Sequence, residues 1–191
     1  MNLNIIVKKI REKCSKFDLY FSESSSESVV FENNKLFMFE NSYGSGIGIR
    51  VFKNDKTGFS FTSNLSKINQ TIEYAVDSSK FGEKIKLNLP PEIQNRKMHK
   101  PKIYDASIKE LDLKEYVETG KKIIAKLNKH IPANMISLDF SKQTSDDIML
   151  NSNGCRVTEK STSFGFSLSM VITEKQGLLD IYDGRCSCNL F

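Results

Sequence analysis

The side chains that could hold a metal or act as nucleophiles are few and widely spaced in this sequence. The 191 residues include two histidines, His99 and His130, which are too far apart to form a helical metal pair. Cys186 and Cys188 form a C-x-C pair with no second cysteine pair or histidine nearby, whereas a zinc site normally takes four ligands. The sequence therefore predicts no catalytic residue and no metal ligand in this chain.

The turn at residues 151–154 and the strand residue Arg50 could instead form a recognition surface. Asn153-Gly154 is the strongest turn dipeptide in the sequence and suits a type I′ hairpin. Loops held on a rigid hairpin often carry recognition, although simple turn chemistry is the more common role of such residues. Five residues are therefore candidates for a surface that binds a substrate or a partner: Arg50, Asn151, Ser152, Asn153 and Gly154.

The charge pattern argues against a nucleic-acid partner. The formal net charge is +5, and the lysines are mixed with aspartates and glutamates along the chain. A nucleic-acid footprint needs basic residues clustered on one face, whereas the densest basic stretch, residues 96–102, contains a proline.

No apolar run approaches the roughly 18 residues that span a bilayer, and the N-terminus lacks the order of a signal peptide. We expect a soluble, cytoplasmic protein.

The first part of the sequence predicts a helix, a β-meander and a second helix. Apolar residues recur at helical spacing over residues 3–15. Period-two segments then follow from residue 17 to residue 62, with a hairpin turn at residues 33–35. Ser63 or Asn64 can cap the second helix.

Prolines separate this part from a similar second part. Residues 81–111 contain Pro90, Pro91 and Pro101 and predict an extended connector. Residues 112–115 resemble a capping box with Asp112 in the cap position, so a third helix follows. Gly120 inside that helix costs about 1 kcal/mol relative to alanine. Strand patterns then resume from Ile136 to Tyr182.

The two parts resemble each other without gaps when one is shifted by 119 positions. Phe17 then falls on Ile136, Leu36 falls on Cys155, and turn 33–35 falls on turn 152–154. Two antiparallel meanders could match by chance, but the register holds from residue 17 to residue 62. The prediction is an α+β fold, with a largely antiparallel twisted sheet flanked by three main helices. It consists of two pseudo-repeated helix-plus-meander units, residues 1–80 and 112–191, joined by connector 81–111. The second unit is apparently truncated before its closing helix.

Several segments in this order resemble the TldD/PmbA family, described as metallopeptidases and as modulators of DNA gyrase. They are residues 30–36, 46–52, 58–66, 104–105 and 150–154. Asn151–Gly154 and the Tyr104-Asp105 pair look closer to the PmbA side. The match covers only the family's N-terminal domain, so the resemblance implies that both units together make up that domain.

The resemblance also implies where the chemistry of the family lies. TldD-type members build a zinc site in the C-terminal domain, from an HExxxH motif and a distant cysteine, and no such ligand can be carried over to this chain. Any zinc is expected in a C-terminal domain or in a partner subunit. PmbA-type members lack the histidine motif and act as partners of the TldD-type subunit.

The resemblance therefore implies a non-catalytic N-terminal domain in the proteolysis or maturation of peptides. Such a domain would shape substrate access and subunit assembly, in a homo- or heterodimer with a TldD/PmbA-like subunit. The alternative is a regulatory module that interacts with DNA gyrase or nucleic acid.

Overall fold

The computed structural model describes residues 2–92, 101–131, 134–174 and 177–190, with only the backbone described at Asn134 and Glu174. His99 and most of basic stretch 96–102 lie outside these residues. No helix in the described part of the chain is long and apolar enough to span a bilayer.

The described ranges contain four α-helices. They are α1 (Leu3–Lys13), α2 (Ile68–Ser78), α3 (Ala106–Glu110) and α4 (Glu115–His130), and a 3-10 turn (Leu65–Lys67) precedes α2. The three main helices of the prediction are α1, α2 and α4. Helix α3 lies inside predicted connector 81–111 and corrects that prediction. Its five residues are too few to show periodicity, and it depends on the Asp105 side chain, which accepts from the Ser107 amide, and on the buried Ile108.

The helix starts differ in detail from the predicted caps. The side chain of Asn64 accepts a hydrogen bond from the Ser66 amide, so Asn64 caps the 3-10 turn rather than α2 itself. Asp112 accepts from the Lys114 amide at 2.9 Å. Helix α4 nevertheless begins only at Glu115 and has no side-chain cap. The predicted capping box is therefore wrong, because Asp112 closes the turn before the helix instead.

Six strands form one antiparallel sheet in the order β3-β2-β1-β4-β5-β6. The strands are β1 (Lys16–Glu32), β2 (Lys35–Lys53), β3 (Lys56–Thr62), β4 (Asn134–Asn151), β5 (Arg156–Glu174) and β6 (Gly177–Ser187). Two-residue turns join β1 to β2 and β2 to β3, with positive φ at Asn33, Asn34, Asn54 and Asp55. This is the geometry of hairpins that follow the right-handed strand twist. The predicted α+β class with a largely antiparallel sheet is confirmed.

The chain divides into two compact units, and each takes segments from both parts of the sequence. The first unit comprises residues 1–23, 44–100 and 146–159, and the second comprises residues 24–43, 101–145 and 160–191. The predicted division at residues 80 and 112 follows the order of elements along the chain, whereas the compact units cut across that order.

Each unit has its own apolar core, built from helices packed on strands. In the first unit α1 and α2 pack on inward-facing side chains of β1 and β2, and this core includes Ile10, Phe17, Ile49, Val51 and Ala75. In the second unit α3 and α4 contribute to a core that includes Phe31, Ile108, Leu113, Ile124 and Ile136. Gly120 of α4 lies against the ring of Phe31, where a Cβ would clash. Close packing on a buried phenylalanine therefore explains the glycine inside the helix.

Candidate functional site

Arg50 forms an internal ion pair in the first unit. Its Nε lies 3.1 and 3.0 Å from the two carboxylate oxygens of Asp18, which is buried. The guanidinium also stands over the ring of Phe52, 5.5 Å from the centroid. A buried carboxylate needs such a partner. The structure thus engages Arg50 in holding β1 to β2.

The predicted turn binds a segment of its own chain. Asn151 is buried, and its Nδ2 donates to the carbonyl of Pro90 at 2.9 Å. Nδ2 of Asn153 donates to the carbonyl of Leu89 at 2.8 Å, and the Leu89 side chain is buried. The structure therefore brings two of the predicted residues together on segment 89–91, which belongs to the connector between α2 and α3.

The turn is not the type I′ turn that Asn153-Gly154 suggested. Of the two central residues Asn153 and Gly154, only Gly154 has a positive φ, at 87°. A type I′ turn needs positive φ at both central residues. Oδ1 of Asn151 accepts from the amides of Asn153 and Cys155, so the asparagine itself closes the loop. The amide of Ser152 donates to the carbonyl of Phe17 at 2.8 Å. These contacts give the turn a structural role.

A different part of the sheet is open for an incoming chain. Strand β2 has 19 residues, but its neighbour β3 has only seven and pairs with residues 47–53 alone. Strand β1 occupies the other side of β2. Along residues 35–42 the outer side of β2 therefore has no strand partner in the part of the chain that the structure describes. We name residues 35–42 the free edge.

Large apolar side chains stand exposed on the free edge. The exposed fractions are 45% for Leu36, 60% for Phe37, 40% for Met38 and 43% for Phe39. Because side chains alternate along a strand, Leu36 and Met38 lie on one face, and Phe37 and Phe39 lie on the other. An apolar strand with open backbone donors and acceptors is a template for pairing with another strand.

Sequence reasoning treated these residues only as one arm of a hairpin. The signal that could have revealed the free edge is the run of four apolar residues after the Asn33-Asn34 turn. Such a run breaks the period-two alternation of a half-buried strand.

Strand β5, which corresponds to β2 in the other repeat, also has a stretch without a neighbouring strand on its outer side among the described residues, but the connector contacts the chain there. Residues 156–163 of β5 also extend past the neighbouring strand, since β6 pairs only with residues 164–174. The connector contacts the chain near both ends of this stretch. Pro91 forms a β-bridge with Gly154, and the Thr162 amide donates to the carbonyl of Ile103 at 2.8 Å.

Each unit has a cavity that contains titratable groups. A cavity of about 170 Å³ in the second unit is lined partly by Asp139, and burial raises the pKa of that carboxyl. A cavity of about 510 Å³ in the first unit is lined by four lysines: Lys53, Lys56, Lys80 and Lys84. Across the described ranges, no three histidine, cysteine, aspartate or glutamate side chains lie close enough to hold a metal ion.

One segment of the chain matches the model of a known family. Residues 17–80 match the model of the PmbA/TldA metallopeptidase domain 1. Over these residues the chain is similar to the N-terminal domain of the TldD/PmbA family. The matched residues include β1, the free edge, β2, β3 and α2. No curated protein matches the sequence.

Solved structures share the fold of the TldD/PmbA domain. TldE from Thermococcus kodakarensis superimposes with a TM-score of 0.83 at 18% identity, over 97% of this chain and 43% of that one. A Bacteroides thetaiotaomicron protein proposed to modulate DNA gyrase gives 0.82 at 17% identity, over 98% and 44%. A Thermotoga maritima protein with a similar description gives 0.80 at 15% identity, over 98% and 44%. The chain thus spans less than half the length of these proteins.

Proposed function

We propose that this TldD/PmbA-family domain is a non-catalytic part of a metallopeptidase-family protein that acts in the proteolysis or maturation of peptides. Its role is to guide an extended peptide and to contribute to subunit assembly, and any metal chemistry belongs to another domain or to a partner subunit. The free edge carries this proposal, because it combines an open strand backbone with exposed apolar side chains.

Strand addition gives such an edge a way to bind many peptides. A peptide that adds a strand to the sheet gains main-chain hydrogen bonds that do not depend on its sequence. At about 3.4 Å per residue, the eight residues of the free edge offer roughly 27 Å of backbone. Leu36 and Met38 on one face, and Phe37 and Phe39 on the other, would contact the peptide's side chains.

Strand β6 supports the assembly part of the proposal. Its exposed apolar side chains are Leu178, Leu179, Ile181 and Tyr182. β6 is the last strand of the sheet and pairs only with β5. A like subunit in a homo- or heterodimer would cover these side chains, and light scattering of the chain over a range of concentrations tests this.

A module that interacts with DNA gyrase or nucleic acid is the second candidate. The lysine-lined cavity of the first unit favours it, since lysines bind phosphates. However, Lys56 donates to the carbonyl of Lys80, and Lys80 pairs with Asp77 at 2.7 Å. A titration of DNA binding with salt tests this candidate, because phosphate contacts give a steep loss of affinity.

Peptide binding at the free edge is tested by replacing two of its phenylalanines with the residues found at the matching positions of β5. Phe37→Arg with Phe39→Thr copies Arg156 and Thr158 from β5. For a labelled eight-residue peptide of alternating valine and threonine, we expect affinity to fall about tenfold or more, because two aromatic cross-strand contacts are lost. Both side chains are exposed, so stability should change little.

The matched control places the same substitutions on another exposed aromatic pair. Phe59→Arg with Phe61→Thr changes β3, where the two rings stack at 6.2 Å. Peptide affinity should stay at the wild-type value in this control. An equal loss in both double variants, or no peptide binding by the wild-type chain, would contradict the proposal.

A further inference from the structure

We propose that the free edge selects peptides that pair with it antiparallel and in which a basic residue stands five positions before an acidic one, with apolar residues among the four between them. This inference rests on the proposed function and names the class of peptide that the free edge takes. It follows from two charged side chains, Lys35 and Glu40, that bracket the apolar run.

The two charges are exposed at opposite ends of the run. Lys35 precedes Leu36 and Glu40 follows Phe39. Neither takes part in an ion pair within the described ranges. An incoming strand therefore meets a positive charge at one end of four apolar side chains and a negative charge at the other. Opposite charges directly across a strand pair are favourable, and like charges are not.

The direction of the incoming strand determines the order of its charges. Every strand pair of this sheet is antiparallel, and antiparallel pairing is slightly more stable per residue than parallel pairing. An antiparallel peptide places its earlier residue opposite Glu40 and its later residue opposite Lys35. The earlier residue should therefore be lysine or arginine and the later one aspartate or glutamate, five positions on.

Residues 35–40 themselves have this order of charges, so a second copy of the chain must be considered. Two folded copies related by a two-fold axis perpendicular to the sheet present the same face. Residues directly opposite each other in the shared sheet must then both be even-numbered or both odd-numbered, because side chains alternate between faces. Lys35 opposite Glu40 breaks this rule. A folded copy cannot form both ion pairs, whereas an extended peptide can, and the fitting occupant is a peptide.

The test uses two peptides of identical composition with blocked ends. One reads lysine, four alternating valines and threonines, then glutamate, and the other has the two charges exchanged. We expect the wild-type chain to bind the lysine-first peptide about threefold to tenfold more tightly at low salt. The preference should fade at high salt, because exposed charges are screened.

A charge swap in the protein makes the test reciprocal. Lys35→Glu with Glu40→Lys keeps the composition of the chain and should reverse the preference between the two peptides. Lys8→Glu with Glu12→Lys is the matched control, since both residues are exposed on α1. That control should bind the peptides as the wild-type chain does.

The outcomes separate this inference from the proposed function. Equal binding of both peptides by the wild-type chain overturns the charge selection and leaves strand addition intact. No binding of either peptide overturns both proposals. Self-association that the swap at Lys35 and Glu40 abolishes would make a second copy the occupant and would overturn the inference.

Discussion

The free edge of β2 and residues 156–163 of β5 lie in corresponding strands of the two repeats, where residues 37–42 match residues 156–161, but they have opposite chemistry. Both stretches continue past a shorter neighbouring strand. In the 119-residue shift, Phe37 falls on Arg156 and Phe39 on Thr158. The connector contacts the β5 stretch near both ends, whereas no described strand covers the outer side of the free edge.

This difference indicates which stretch is built for binding. Proteins normally protect an open strand edge by charged side chains or by covering it, since a bare edge invites unwanted pairing. The β5 stretch includes the charged residues Arg156, Glu159 and Lys160, and the connector contacts β5 near both ends of this stretch. The free edge has neither along Leu36–Phe39. Because the repeat shows that the fold tolerates a protected version, the apolar version requires an explanation in function.

The largest effect is expected where the connector is fastened to the end of β4. Asn151→Ala removes the donor to Pro90 and the acceptor of the Asn153 and Cys155 amides. Because Asn151 is buried, we expect a loss of about 2–4 kcal/mol in the free energy of unfolding. Urea titration measures this loss, and affinity for the valine-threonine peptide should not change.

Asn153→Ala is the matched control for this variant. It removes one side-chain hydrogen bond, to Leu89, from an exposed residue, so the loss should be clearly smaller. If Asn151→Ala weakened peptide binding without loss of stability, the turn would be a binding site and the comparison between the two edges would fail.

A smaller effect is expected at the other end of the covered stretch. The buried hydroxyl of Thr162 accepts from the Asp105 amide at 2.8 Å and donates to the carbonyl of Cys188 at 3.3 Å. Thr162→Val keeps the shape and loses both bonds, which should cost about 1–2 kcal/mol. Thr158→Val, at an exposed position of the same strand, should be nearly neutral. Equal effects would show that the connector does not protect β5 at this point.

The sequence predicted the elements of the fold better than the state of their edges. Period-two patterns and the Asn33-Asn34 and Asn54-Asp55 turns were enough to predict the meander, because these signals are local. Helix α3 was missed because five residues carry no periodicity. Whether an edge is open depends on a neighbour's length, and the seven residues of β3 leave the free edge bare. That relation appears only when the pairing register is known.

The candidate recognition residues show the same limit. Arg50 and Asn151 were identified by type and local pattern, but their partners lie far away in the sequence. Asp18 is 32 positions from Arg50, and Pro90 is 61 positions from Asn151. A polar residue on a strand or turn looks the same in sequence whether it binds a ligand or its own chain. The described contacts show what each side chain binds within the chain, and binding of a substrate or partner at these residues stays a prediction.

The smallest effect concerns acid conditions and the segment that leads into α3. Hydrogen bonds from the Ser107 hydroxyl and from the amides of Leu190 and Ser107 hold the pKa of Asp105 below that of an ordinary aspartate. The carboxylate therefore adds stability at neutral pH, and this contribution is lost as the pH falls through the lowered pKa. Asp105→Asn cannot titrate, so its thermal midpoint should fall less steeply than that of the wild-type chain between about pH 4 and pH 2. Because the amide of Asp105 itself donates to the Thr162 hydroxyl, amide exchange at Thr162 should quicken with acid in the wild-type chain only. Amide exchange along the free edge should not respond to Asp105, and a response there would show that the two edges are coupled.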